Sequence, residues 1–163
     1  MNIIKIYTDG AASGNPGPGG YGAVLEYKNH VKELSGGFRL TTNNRMELLA
    51  VIIALESITD KSICVIVFSD SKYVVEAINQ QWVFGWEKKG YKKKKNPDLW
   101  RRFLNVYRTF SHSMEFKWIK GHDGHIQNER CDQLAVGAYK NENLEVDIEY
   151  ELLKNNQKGL FSN

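Results

Sequence analysis

Residues 120–132, KGHDGHIQNERCD, put two histidines, a cysteine and three acids into thirteen positions. Histidine and cysteine so close together can ligate zinc, which asks for about four ligands in a closed tetrahedron. His122, His125 and Cys131 offer three, and Cys64 lies in an apolar run that reads as core. Cys131 adjoins Asp132, so on a helix the two point in different directions. Free cysteine is commonly a small buried hydrophobe. A second chemistry uses oxygen alone. Asp9 and Asp70 each close an apolar strand, Glu47 falls in the first turn of a helix, and Asp132 lies in the first turns of the last predicted helix. Clustered carboxylates repel unless a proton or cation sits between them. A hard cation suits such a cluster, and Mg²⁺ is the natural one beside phosphate.

Each acid also has an ordinary explanation. Asp9-Gly10 is a common turn pair. Asp70 before Ser71 could cap a helix, and Asn44-Arg45-Met46-Glu47 resembles a capping box. Asp132 could favour a helix macrodipole. These explanations serve each acid alone and weaken when all four are taken together.

The elements that must position these groups follow from periodicity. IIKIYTDG alternates and reads as a strand ending near Asp9, followed by a glycine- and proline-rich loop, ASGNPGPGGYG. YGAVLEYK and VKELSGGFRL read as a hairpin turning about Asn29-His30. TTNNRMELLAVIIALESI is a capped helix, and ICVIVFSD a strand buried on both faces. SKYVVEAINQQ is a short helix. Asn96 and Pro97 read as N-cap and first position of the helix in NPDLWRRFLNVYRTF. SMEFKWIKG is a strand and NERCDQLAVGAYK a helix; the tail from Asn141 is polar. Three consecutive strands, then strands reached through helices, predict a mixed sheet with helices on both faces.

Composition limits the alternatives. The 163 residues suit one domain, and 42% hydrophobic with 25% charged content is ordinary for a soluble protein. Within the net charge of +3, Lys88, Lys89 and Lys92 to Lys95 place six lysines in eight positions. Without that run the balance would be slightly acidic, so a polyanionic partner is expected at one basic handle. Two cysteines make no disulfide framework. No secretory leader or bilayer-length apolar run is present, so a cytoplasmic protein is expected. Nothing demands more than a monomer.

YTDGAASGNPGPGGYGAVL, TTNNRMELLA, FSDSKYV, NPDLW and WIKGHDGHIQNERCDQLA, spread from residue 7 to about 139, strongly resemble bacterial type 1 ribonuclease H. The resemblance implies an α/β fold: a ribonuclease H-like mixed five-stranded sheet, three antiparallel strands then two parallel, with helices on both faces. It implies a catalytic domain over residues 1–141 and leaves 142–163 as a C-terminal extension without a role. The implied activity is endonucleolytic cleavage of the RNA strand of RNA–DNA hybrids by two divalent metals, Mg²⁺ or Mn²⁺, leaving 3′-hydroxyl and 5′-phosphate ends. Asp9, Glu47, Asp70 and Asp132 would hold the metals, and His122 would be the mobile catalytic histidine. Asn15, Asn43 and Asn44 would read 2′-hydroxyls. Trp82 and Trp86, four apart on one helix face, would line a channel for the deoxy strand. Thr42 and Asn96 would form a pocket for a DNA phosphate. The lysine run would match the family's basic protrusion.

The chain departs from the family pattern in places. Leu40 stands where an arginine is expected, with Arg39 one residue earlier, and in a strand that shift reverses side-chain direction. Lys72 replaces a frequent glutamine and could touch backbone phosphate. A DNA-cutting nuclease of the same fold and a non-catalytic hybrid-binding module are the other functional classes to weigh. The NNRME motif, the tryptophan pair and the basic segment argue against the first, and the four intact acids against the second.

Overall fold

The computed structural model describes residues 2–161. Five strands form one sheet: β1 (Ile3–Ala12), β2 (Gly17–Tyr27), β3 (His30–Thr41), β4 (Cys64–Ser69) and β5 (Glu115–Trp118). Their spatial order is β3-β2-β1-β4-β5, with β1–β2 and β2–β3 antiparallel and β1–β4 and β4–β5 parallel. This is the mixed sheet the strand order predicts. The helices are α1 (Asn43–Glu56), α2 (Lys72–Asn79), α3 (Trp82–Lys88), α4 (Pro97–Tyr107), α5 (Ile126–Tyr139) and α6 (Ile148–Phe161).

Glycines show which face each helix covers. A Cβ on Gly20 or Gly22 would strike the α5 carbonyls of Ala135 or Cys131 at 2.3 Å. A Cβ on Gly10 would lie 2.3 Å from the Glu47 nitrogen of α1. Gly10 pairs with Tyr21, between those two β2 glycines, and side chains alternate along a strand. So α1 and α5 lie on opposite faces. The glycine-rich run is therefore mostly strand. Only residues 13–16 are loop, and the missing side chains let α5 lie directly on the sheet.

α1 is the central helix: ten of its residues, from Arg45 to Leu55 apart from Ile53, are buried. It is apolar nearly all round because it packs on β1, β2 and β3 and is covered in turn by α4. Trp100 and Phe103 of α4 join Ile6, Met46, Leu48, Ile52 and Val67 in the core.

Four local expectations need correction. The hairpin turns at Lys28-Asn29, one residue earlier than expected, with Lys28 at φ 53°. β1 does not end at Asp9 but continues to Ala12, because β2 still pairs with it there. Near Leu40 the pairs Gly19↔Phe38 and Gly17↔Thr41 leave one extra residue on β3, a bulge that interrupts strict alternation at Arg39 and Leu40. Finally, the polar tail contains α6. Before that helix Glu145 bridges to Phe38 on β3, and within it Tyr150 is buried.

Candidate active site

The last pair of the parallel β1–β4 ladder is Thr8↔Ser69, and Asp9 and Asp70 follow it by one residue each. Side-by-side strands thus deliver both carboxylates to one place. Glu47 joins them because Gly10 has no side chain to hold α1 away. Oxygens of Asp9, Glu47 and Asp70 all lie within 4.8 Å of one another. None of the three acts as a helix cap. Ser71 Oγ accepts from Val74 N at 3.2 Å to start α2, and Thr42 Oγ1 accepts from Arg45 N at 3.2 Å to start α1.

The chain gives this trio little compensation. Burial, then the charge of Asp70, push Asp9 up to about 7. Burial, then Asp9 and Asp70, push Glu47 well above the usual carboxylate range. Burial also raises Asp70, opposed by its own backbone N–H and by nearby His122. Among the described residues Glu47 Oε2 is buried without a hydrogen-bond partner. An orphaned buried carboxylate oxygen beside two more acids is chemistry suited to a hard divalent cation. Asp132 lies in the second turn of α5, half-buried. It is outside the tight trio, yet its charge helps raise Asp9 and Asp70. α5 is also not the last helix, since α6 follows it.

His122 is exposed at φ 54° on the loop before α5, and Gly121 lets that loop pass close to Asp70. A Cβ on Gly121 would lie 2.7 Å from Asp70 Oδ2. His125 is the α5 N-cap residue without a side-chain cap bond. Cys131 Sγ donates to Tyr7 O at 3.1 Å, and burial pushes its thiol up to about 12. Among the described residues, His122, His125 and Cys131 gather into no metal-holding group. The acids are the metal-suited cluster.

A second cluster was not foreseen. Arg45, 4% exposed, forks onto Asp98 at 2.9 and 2.7 Å and onto Asp147 at 2.8 and 2.9 Å. The signal was in the sequence: an arginine at the head of a long apolar helical run needs buried partners. Its partners lie 53 and 102 residues away, which spacing does not disclose. Arg45 holds Asp98 below the usual carboxylate range although burial pulls the other way. Asn96, expected as a cap, makes no side-chain cap bond at φ 62°. Instead its Oδ1 accepts from Arg45 Nη1 at 3.2 Å and its Nδ2 donates to Tyr73 OH at 3.1 Å.

The remaining candidates surround these clusters. Asn15 Oδ1 accepts from Asn43 N at 3.1 Å, tying the first loop to the α1 start, and Asn43 and Asn44 are exposed. Trp82 is 48% exposed on α3, whereas Trp86 is half-buried edge-on to Trp100 with the Lys94 ammonium 5.0 Å from its ring. Lys92 to Lys95 are exposed. Lys72 lies 5.0 Å from the ring of Trp118, whose Nε1 donates to Asp70 O at 3.0 Å. Sequence reasoning missed Trp118, which reads only as a strand aromatic. Arg39 forks onto Glu151 of α6 at 2.9 Å.

The sequence model of the RNase H family matches residues 1–140. The chain belongs to the ribonuclease H family. It is 55% identical over 154 residues to the ribonuclease H of Desulforamulus reducens, covering 91% of this chain and 94% of that one. It is 48% identical over 157 residues to the ribonuclease HI of Shewanella oneidensis, covering 93% and 96%. LC9-RNase H1, a type 1 RNase H with the type 2 active-site motif, superposes with a TM-score of 0.77 at 31% identity, covering 88% of this chain and 74% of that one. LC11-RNase H1, solved in complex with an RNA/DNA hybrid, gives 0.64 at 31% identity, covering 84% and 96%. As a ribonuclease H family member the chain is a hydrolase, and the ribonuclease H fold expected from its motifs is the one observed. Among the described residues no helix is long and apolar enough to cross a membrane.

Proposed function

We propose that this enzyme hydrolyses the RNA strand of RNA–DNA hybrids, with Asp9, Glu47, Asp70 and Asp132 as metal ligands. The observation that carries the reading is the buried carboxylate trio with its orphaned Glu47 oxygen. Two bound divalent cations, Mg²⁺ or Mn²⁺, would supply Lewis-acid stabilisation of the phosphate and a water acidic enough to attack near neutral pH. Asp9 lies within β1 and Asp70 directly follows β4, so the sheet holds both carboxylates rigidly for positioning the phosphate. Attack on phosphorus with cleavage of the P–O3′ bond leaves a 3′-hydroxyl and a 5′-phosphate. His122, exposed on a loop against Asp70, takes up or delivers a proton at the attacking water or aids product departure.

Strand discrimination needs a test for each strand. Asn15, Asn43 and Asn44 form an amide-rich rim at the α1 start that suits 2′-hydroxyls in a wide minor groove. Trp82 offers an exposed ring to the deoxy strand, and Trp86 supports that surface from beneath, against Trp100. Thr42 and Asn96 receive a DNA phosphate. Lys72 meets the backbone near Asp70, and the lysine run contributes salt-dependent affinity. The LC11-RNase H1 complex with a hybrid supports this substrate class. The test is cleavage of matched RNA–DNA, DNA–DNA and RNA–RNA duplexes with Mg²⁺ or Mn²⁺ titrated. Cutting confined to the RNA strand of the hybrid is the expected outcome; equal cutting of DNA–DNA would sink the reading.

A further inference from the structure

The segment after α5 is tied to the sheet in three places. Glu145 exchanges backbone hydrogen bonds with β3, Arg39 N donating to Glu145 O at 2.9 Å and Glu145 N to Gly37 O at 3.0 Å. Arg39 forks onto Glu151 at the surface. Between them Asp147 turns inward, its side chain 10% exposed. Its Oδ2 accepts from Thr41 Oγ1 and from Arg45 Nε, both at 2.8 Å, and its Oδ1 from Arg45 Nη2 at 2.9 Å.

The far side of the same guanidinium fixes Asn96. An arginine has five N–H donors in one plane. Here they meet Asp147, Asp98 and Asn96, so the plane cannot turn without breaking several bonds. Because the Asn96 carbonyl accepts from Arg45, its amide nitrogen must face the other way. One amide hydrogen goes to Tyr73 OH, and the second remains to donate. A free amide N–H attracts an anion, whereas a flipped amide would present an oxygen and repel it. Asp147 also holds the hydroxyl of Thr41, the residue next to Thr42.

We propose that Asp147 is a positioning residue for the DNA-phosphate pocket: by clamping Arg45 and Thr41 it aims Asn96 and Thr42 at one phosphodiester of the deoxy strand. This rests on the pocket reading given above. It makes the C-terminal segment a working part of substrate recognition. Charge alone predicts the opposite sign: removing the negative charge of Asp147 beside a phosphate would tighten binding.

The experiment uses the full chain and hybrids carrying a single neutral methylphosphonate at successive positions of the DNA strand. In the wild type one position raises KM about tenfold, the worth of a hydrogen bond to a charged group. Asp147→Asn is expected to raise KM for the all-phosphate hybrid by about the same factor, to leave kcat within about twofold, and to abolish sensitivity at that position. Glu151→Gln, which loosens the same segment at its exposed fork, keeps the wild-type KM and methylphosphonate profile. Melting curves of both variants set an assay temperature at which each is folded. The inference is overturned if Asp147→Asn keeps the wild-type profile, if its KM falls, or if Glu151→Gln matches it. A wild type that cuts hybrids but has no sensitive DNA position overturns the inference through the pocket assignment. A wild type that cuts no hybrid overturns the substrate reading beneath both.

Discussion

Two buried carboxylate clusters flank the start of α1, and they are solved in opposite ways. Arg45 brings a guanidinium to Asp98 and Asp147. Two residues later Glu47 brings only another negative charge to Asp9 and Asp70. Asp98 is accordingly held below the ordinary carboxylate range, while Asp9 and Glu47 are driven above it. The same turn of helix therefore shows that the fold can neutralise buried acids internally. Where it does not, charge must be met from outside. One cluster pairs its acids within the chain; the other leaves them available and bears the repulsion.

The comparison is tested most severely by one neutralisation in the open cluster. Asp70→Asn removes a proposed ligand, and a cation held there would be worth several kcal/mol of transition-state stabilisation, so kcat should fall by about a thousandfold or more. Hybrid binding, measured without turnover, should change little. Residual cleavage near the wild-type rate in a clean preparation would remove Asp70 from the site. The matching experiment in the closed cluster is Arg45→Met, which strands two carboxylates. A loss of about 3–5 kcal/mol in unfolding free energy is expected from denaturant titration. A loss below about 1 kcal/mol would show the clamp to be decorative.

The two clusters also differ in how far they could be read from sequence. The open cluster was legible because Asp9 and Asp70 follow the last pair of the β1–β4 ladder and Glu47 lies in the first turns of α1, where local pattern and motif agree. Even there, spacing gave no hint of Gly10, whose missing Cβ lets Glu47 reach Asp9. In the closed cluster Arg45 signalled a need for partners, but which ones was illegible because a salt bridge between residues 102 apart leaves no periodic trace. Asn96 does stand at the N-cap of α4 with Pro97 after it, as local pattern predicts, but a distant arginine takes the side chain that was expected to cap. The polar tail gave no sign of α6 since β3 and Arg45, rather than a strong apolar period of its own, hold it down.

Neutral replacements should move stability in opposite directions in the two clusters. The folded Asp9 carboxyl titrates near 7 instead of 3.8, so the folded state binds more protons across that window. Its ionisation costs stability as pH rises from about 4 through about 7. Asp9→Asn should therefore be more stable than wild type at pH 8, on the order of 2–4 kcal/mol, and gain nothing at pH 3. Asp98, with its folded value lowered, contributes stability above its unfolded value that is lost in acid. Asp98→Asn should lose about 1–2 kcal/mol at pH 8, allowing for its partial exposure, and less at pH 3. Unfolding curves at the two pH values check both signs, and shifts of the same sign would erase the distinction.

The smallest expected effect isolates the cation itself. A ligand that binds only the folded state at ten times its Kd adds about 1.4 kcal/mol. In a chain of this size that is a rise of roughly 3–6 °C in Tm. Mg²⁺ added to the wild type without substrate should produce such a rise, because it relieves repulsion among Asp9, Glu47 and Asp70. Asp9→Asn starts from a higher Tm and should respond weakly, having lost both the repulsion and a ligand. Asp98→Asn starts lower and should respond fully, because the Arg45 clamp already carries its own cation and offers Mg²⁺ no site. If the Asp98 variant lost the response, the two clusters would be one electrostatic unit rather than two. If the Asp9 variant kept it in full, the cation would be binding elsewhere, and the raised carboxylates of Asp9, Glu47 and Asp70 would need a different purpose.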